Sequence, residues 1–126
     1  MSTQRSGTYI KTFTAGEAIT ACRFVKADTN LDGDGLAKIL MADSDNDDLV
    51  IGWCPVAISS GAKGTVELFG PTFKAEAGEA VDAGDPLYIG TNGVVVDTVN
   101  TSESPRLIAL ETVLTSGDYV EVARVL

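Results

Sequence analysis

Short apolar runs separated by glycine-rich turns give this chain its character. Thr8-Tyr9-Ile10-Lys11-Thr12-Phe13-Thr14 has the aromatic and β-branched make-up of a strand, and Phe24-Val25-Lys26-Ala27 forms a second short run. Residues 50–57 are nearly continuous apolar sequence, as are residues 107–113. In the closing segments 65–69 and 119–125, Val66 and Leu68, like Val120 and Val122, share a face while Glu67 and Glu121 point away. Asp32-Gly33-Asp34-Gly35 and Asn92-Gly93 stand between apolar runs as hairpin turns, because both residue types tolerate positive φ. Residues 36–41 suit a helix by residue type, yet Gly35 and the acidic cluster beside them suit a strand equally. No window keeps a helical period beyond a turn or two. The expected fold is therefore all-β, a compact barrel or sandwich of about ten short strands with a flexible N-terminal arm.

The pattern occurs twice. Ala15-Gly16-Glu17-Ala18-Ile19-Thr20-Ala21 recurs as Ala77-Gly78-Glu79-Ala80-Val81-Asp82-Ala83, an offset of 62 that also carries Thr29-Asn30 onto Thr91-Asn92. Ser60-Gly61 and Thr65-Val66-Glu67-Leu68 align, two residues shorter, with Ser116-Gly117 and Tyr119-Val120-Glu121-Val122. The predicted organisation is an arm and first strand over 1–14, then a single all-β domain over 15–126 built from pseudo-repeats 15–70 and 77–126. A unit of about 60 residues buries only about 60% of its unfolded surface, so the two halves are expected to share one core.

Composition narrows the function. The chain is 44% hydrophobic and 21% charged, with a net charge of −9, which suits a globular body and argues against nucleic acid as a partner. No apolar run reaches the roughly 18 residues of a membrane span, and residues 1–8 lack the apolar stretch of a signal peptide; synthesis in the cytosol is expected. Arg5, Lys11, Arg23 and Lys26 against Glu17 give residues 1–26 a formal +3, leaving −12 on the rest. A basic arm on an acidic body can dock against an acidic patch. Cys22 and Cys54 are too few for a disulfide framework; Cys54 is expected in the core, and Cys22, aligned with Gly84, in a turn.

Reactive chemistry is sparse. The absence of histidine removes Ser-His-Asp and Cys-His nucleophiles, and no phosphate-binding glycine loop is present. Asp28, Asn30, Asp32 and Asp34 follow the first positions of a calcium loop, with Gly33 at its bend, but Ile39 stands where the bidentate Glu belongs. They form an alternative calcium set, and a hairpin tip otherwise. Residues 43–48 add four carboxylates in six residues, a solvated loop by composition. Trp53, with Phe69 and Phe73, is an aromatic candidate for an oligomer contact. No cofactor is expected, and an enzyme working through Asp and Glu alone is the least favoured class.

The doubled Ala-Gly-Glu-Ala motif carries the resemblance, together with Ala83-Gly84-Asp85-Pro86-Leu87-Tyr88-Ile89, Val50-Ile51-Gly52-Trp53-Cys54-Pro55-Val56-Ala57, Gly64-Thr65-Val66-Glu67-Leu68 and the terminal Tyr119-Val120-Glu121-Val122. In these features the chain resembles the small head-decoration, or capsid cement, proteins of tailed phages. The resemblance implies a structural virion protein, often a homotrimer, on the outer capsid surface, where it bridges major capsid protein subunits. It also implies a shell-contacting arm, which by position is Arg5, Thr8, Tyr9, Ile10, Lys11 and Phe13. The rival is a calcium- or glycan-binding β module of a phage tail or adhesion structure.

Overall fold

The computed structural model describes residues 9–43, 50–69, 72–97, 105 and 107–124. These form ten strands: β1 Tyr9–Thr14, β2 Arg23–Leu31, β3 Ala37–Met41, β4 Val50–Cys54, β5 Lys63–Phe69, β6 Thr72–Glu76, β7 Pro86–Ile89, β8 Val95–Val96, β9 Leu107–Ala109 and β10 Tyr119–Arg124. A 3-10 turn at Thr91–Gly93 is the only helical element among the described residues. The all-β expectation holds, and residues 37–41 are a strand.

The duplication is a duplication of topology. The first sheet runs β1-β5-β4-β2-β3 and the second β6-β10-β9-β7-β8, the same order advanced by five, with every neighbouring strand pair antiparallel. Each sheet curls until its first strand meets its last in order, through the parallel bridges Ala15↔Ile39 and Ala77↔Val95. Two small barrel-like units result.

The Ala-Gly-Glu-Ala motif makes that closure. Ala15 is buried in the first cluster of apolar side chains and Ala77 in the second. The Gly16 N–H donates to the Ile39 carbonyl and the Gly78 N–H to the Val95 carbonyl, both at 2.8 Å. Glu17 then accepts the Met41 N–H through Oε2, and Glu79 the Asp97 N–H, each at 2.9 Å. A carboxylate accepting a backbone N–H satisfies a donor that the short strand leaves unpaired.

Turns repeat with the same fidelity. Cys22 (φ 63°) and Gly84 (φ 91°) occupy equivalent left-handed positions, and their N–H groups donate to Cys54 and Ala109 at 2.7 and 2.8 Å. The turn expected at Cys22 is there, held by a non-glycine residue at a cost of about 1–2 kcal/mol.

Two sequence alignments slip. Thr14 lies opposite Lys63 and Glu76 opposite Tyr119, so Lys63, not Thr65, is the counterpart of Tyr119. The slip is two residues, an even number, which preserves the inward–outward alternation and conceals the error in the sequence. Thr29 and Asn30 continue β2, whereas Thr91 and Asn92 form the 3-10 turn; that identity has no structural counterpart.

Burial resolves into two clusters and not one shared core. Phe13, Ala15, Ile19, Val25, Ile39, Cys54, Ile58 and Val66 fill the first unit. The second cluster fills the other unit and extends onto Phe24, Ala42 and Trp53 of the first. Equivalent positions exchange volume. Phe13 lies opposite Gly64, and a Cβ on Gly64 would run into Ile58; the second unit places Ala75 opposite Val120, with Val113 at the Ile58 position. A large–small pair is traded for a small–medium pair, which keeps the interior filled.

Candidate interaction surfaces

The seam between the units determines which surfaces remain outside. The Phe73 ring meets Phe24 edge-on at 5.5 Å and 77°, and Trp53 at 5.7 Å, separations at which aromatic pairs attract. Arg23 donates from Nε and Nη2 to Glu76 Oε1 at 3.2 and 3.0 Å, and from Nη1 to the Asn92 carbonyl at 3.0 Å. Gly93 (φ 78°) sits against the Phe24 backbone so closely that a Cβ would overlap the Phe24 carbonyl oxygen. The second unit thus stands with its strand-start and hairpin end on the outer face of the first.

This arrangement relocates several candidate residues. Trp53 and Phe73, expected at an oligomer contact, are buried in the seam, where their area stabilises the chain itself; Phe69 lies opposite Tyr9 at the end of β5. Trp53 Nε1 has no hydrogen-bond partner among the described residues. Arg23 belongs to the seam and not to a basic arm.

The arm set divides as well. Arg5 and Thr8 lie outside the described residues. Tyr9, Ile10, Lys11 and Phe13 belong to β1, paired along β5. Ile10 is 63% exposed and Lys11 is exposed, while Phe13, at 7%, packs into the first core. The β alternation turns Ile10 outward and Phe13 inward, so Phe13 cannot serve as an arm contact without leaving the core.

The alternative calcium residues are occupied locally. Asp32 Oδ1 accepts the Asp34 and Leu36 N–H groups, each at 2.9 Å, and these bonds hold its carboxyl below the usual range, the Leu36 bond foremost. Asp28 accepts from Asn30 Nδ2 at 3.1 Å and from the Thr29 N–H at 2.7 Å; its carboxyl is lowered mainly by the Asn30 side chain. Asp34 lies 3.8 Å from Lys63. Among the described residues, no three His, Cys, Asp or Glu side chains are grouped to hold a metal ion. Asp28 and Asn30 lie in β2, and Asp32 and Asp34 in the turn that follows it. Asp43 is exposed, and residues 44–48 of the second acidic stretch lie outside the described residues.

Cys54 is buried in the first core, and Cys22 packs against the second. Both thiols are free, with burial pushing their pKa values up.

Large exposed apolar side chains concentrate where sequence reading gave no signal. On the second unit Ile108 is 40% and Leu110 47% exposed, with Leu114 and Tyr119 nearby in sequence; on the first, Leu31 is 60% exposed beside the hairpin, and Val56 is also exposed. Lys74 pairs with Glu111, which also accepts the Glu121 N–H at 2.9 Å; the Lys74 bond leads the lowering of its carboxyl. Thr72 donates to Glu121 at 3.1 Å. Of these carboxylates, Glu111 is paired with a cation, and Glu121 is held by a hydroxyl.

Comparison with known proteins bears on these surfaces. A family profile described as phage cement protein matches residues 3–124. A similar solved structure is the N base of head fiber gp8.5 in bacteriophage phi29, at a TM-score of 0.74 and 20% identity, covering 94% of each chain. Among curated proteins, none matches this sequence significantly.

Proposed function

This chain belongs to the phage cement protein family and is a structural protein of the phage virion; we propose that it sits on the outer capsid surface and clamps the shell by bridging neighbouring major capsid protein subunits. The observation that carries this reading is a family match extending over nearly the whole chain.

The architecture suits the task. Two units of identical topology are locked by the Arg23–Glu76 pair and the Phe24–Phe73–Trp53 cluster and so hold their outer faces at a fixed separation. A bridge between repeated subunits needs that rigidity, because a loose linker loses effective concentration. A cement acts by binding the assembled shell and not the free subunits, which shifts assembly by mass action without catalytic groups. Residues 1–8, with Arg5 and Thr8, and the exposed Ile10 and Lys11 of β1 form the arm side of this contact. Three copies per site, as a homotrimer, is the arrangement this reading adopts.

Heating undecorated shells with and without the purified chain tests the bridge. The temperature of shell disruption is expected to rise with bound protein until sites saturate. Binding without any rise would contradict bridging.

A further inference from the structure

The hairpin that seats the second unit on the first holds the chain's one Asn-Gly pair, Asn92-Gly93. Asn30, Asn46 and Asn100 are followed by Leu31, Asp47 and Thr101, and the Asp32–Gly35 hairpin of the first unit carries aspartates instead. An asparagine side chain closes most readily on the main chain when glycine follows, because no Cβ hinders the attacking nitrogen. In that reaction the Gly93 nitrogen gives up its proton and attacks the Asn92 side-chain carbon. The bond to the side-chain nitrogen breaks, and ammonia leaves with the proton. Water then opens the cyclic imide. Opening at the side-chain carbonyl leaves aspartate; opening at the main-chain carbonyl leaves isoaspartate, whose main chain is longer by one carbon. The balance is one water consumed and one ammonia released.

The seam withholds this reaction. At φ 61° and ψ 26° for Asn92, the Gly93 nitrogen nearly eclipses the Asn92 backbone nitrogen, whereas ring closure needs it to eclipse Cβ. Turning it there swings Gly93, which is seated so tightly that a Cβ would overlap the Phe24 carbonyl oxygen. The Gly93 N–H also donates to the Gly90 carbonyl at 3.2 Å, and Arg23 Nη1 holds the Asn92 carbonyl at 3.0 Å. Asn92 itself is exposed, so water reaches it once the turn is released. We propose that Asn92 is a site of spontaneous hydrolytic deamidation gated by the seam between the units. The closed seam protects it, opening releases the turn, and the isoaspartyl product prevents full reclosure. That last step follows because an added main-chain carbon displaces Gly93 from a seat with no room to spare. A reversible opening thereby becomes permanent.

The inference does not depend on shell binding, and its test uses the purified full chain alone. Native protein and protein unfolded in guanidinium chloride are held in warm, mildly alkaline buffer, and peptide mapping follows isoaspartate at residue 92. Conversion should be at least about tenfold slower in the native protein, where it tracks the population of the opened form. Arg23→Ala removes the hydrogen bonds to Glu76 and to the Asn92 carbonyl and should speed native conversion by about tenfold or more. Glu76→Gln, a milder change, should move the rate in the same direction. Hydrogen exchange at the Val120 and Val122 amides, in the second core, should stay near wild type, which separates seam opening from global unfolding. The isolated isoaspartyl fraction should show red-shifted emission from Trp53, the only tryptophan, buried in the seam. Three results would each overturn the proposal: native conversion as fast as in the unfolded chain, rates unchanged in both variants, or an isoaspartyl fraction with native Trp53 emission.

Discussion

Exchanging one trio of core residues for its counterpart in the second unit tests the structural duplication in energetic terms. Phe13→Ala removes a buried ring from the first core, a change that costs about 3–5 kcal/mol. For a chain of this length that corresponds to a fall in melting temperature of about 12–20 °C. Gly64→Val alone drives a side chain into Ile58 and costs about 1–3 kcal/mol by overpacking, and Ile58→Val costs about 0.5–1.5 kcal/mol. Acting independently, the three would remove about 4.5–9.5 kcal/mol, most of the stability of an ordinary domain. Together they recreate the Ala75, Val120 and Val113 arrangement of the second unit, in which the valine occupies the volume that the ring and the Ile58 methyl vacate. The exchanged trio is smaller by about two methylene groups, so the triple variant should lose only about 2 kcal/mol. Urea denaturation reads this directly as a shift in midpoint at unchanged m-value. A triple variant as unstable as the sum of its single changes would refute the equivalence of the two cores.

Further outcomes follow from the seam, the surface carboxylates and the thiols. Gly93→Ala should destabilise by about 2–4 kcal/mol, from its positive φ and its overlap with the Phe24 backbone, measured by thermal melting. The carboxyls of Asp28, Asp32 and Glu111 are held below their ordinary values of 3.8, 3.8 and 4.5. A depressed folded-state pKa contributes stability above the unfolded value that is lost as pH falls through the folded one. Stability should therefore decline below about pH 4.5, and Glu111→Gln should flatten part of that decline in urea titrations at stepped pH. Under mild oxidation of the native protein, mass spectrometry should find no Cys22–Cys54 disulfide, and alkylation should reach Cys54 only on unfolding. A native intramolecular disulfide would contradict the placement of the two thiols in separate cores.

Local chemistry made much of the architecture legible. Asp-Gly and Asn-Gly pairs marked the hairpins, and the alignment of Cys22 with Gly84 located a turn whose left-handed backbone the structure shows. The Ala-Gly-Glu-Ala motif flagged the duplication, although its role in closing each barrel needed the register of β3 and β8. Strand β6 went unassigned although Phe73-Lys74-Ala75-Glu76-Ala77 alternates inward and outward. The closing strands were aligned two residues out because an even slip leaves each face unchanged.

The interaction surfaces were harder to read because the two units are alike in fold but unlike in exposure. Trp53 and Ile108 occupy equivalent positions, yet one is 8% exposed and the other 40%. Docking of the second unit on the first makes the difference, and no local pattern encodes it. Phe13 was placed in an arm for the same reason, since its apolar character suits a shell contact as well as a core.

Co-sedimentation of the purified chain with expanded, undecorated shells of its phage tests the central claim most directly. The account predicts saturable binding at a fixed ratio to the major capsid protein. A folded chain that stays in the supernatant at every shell concentration would contradict it.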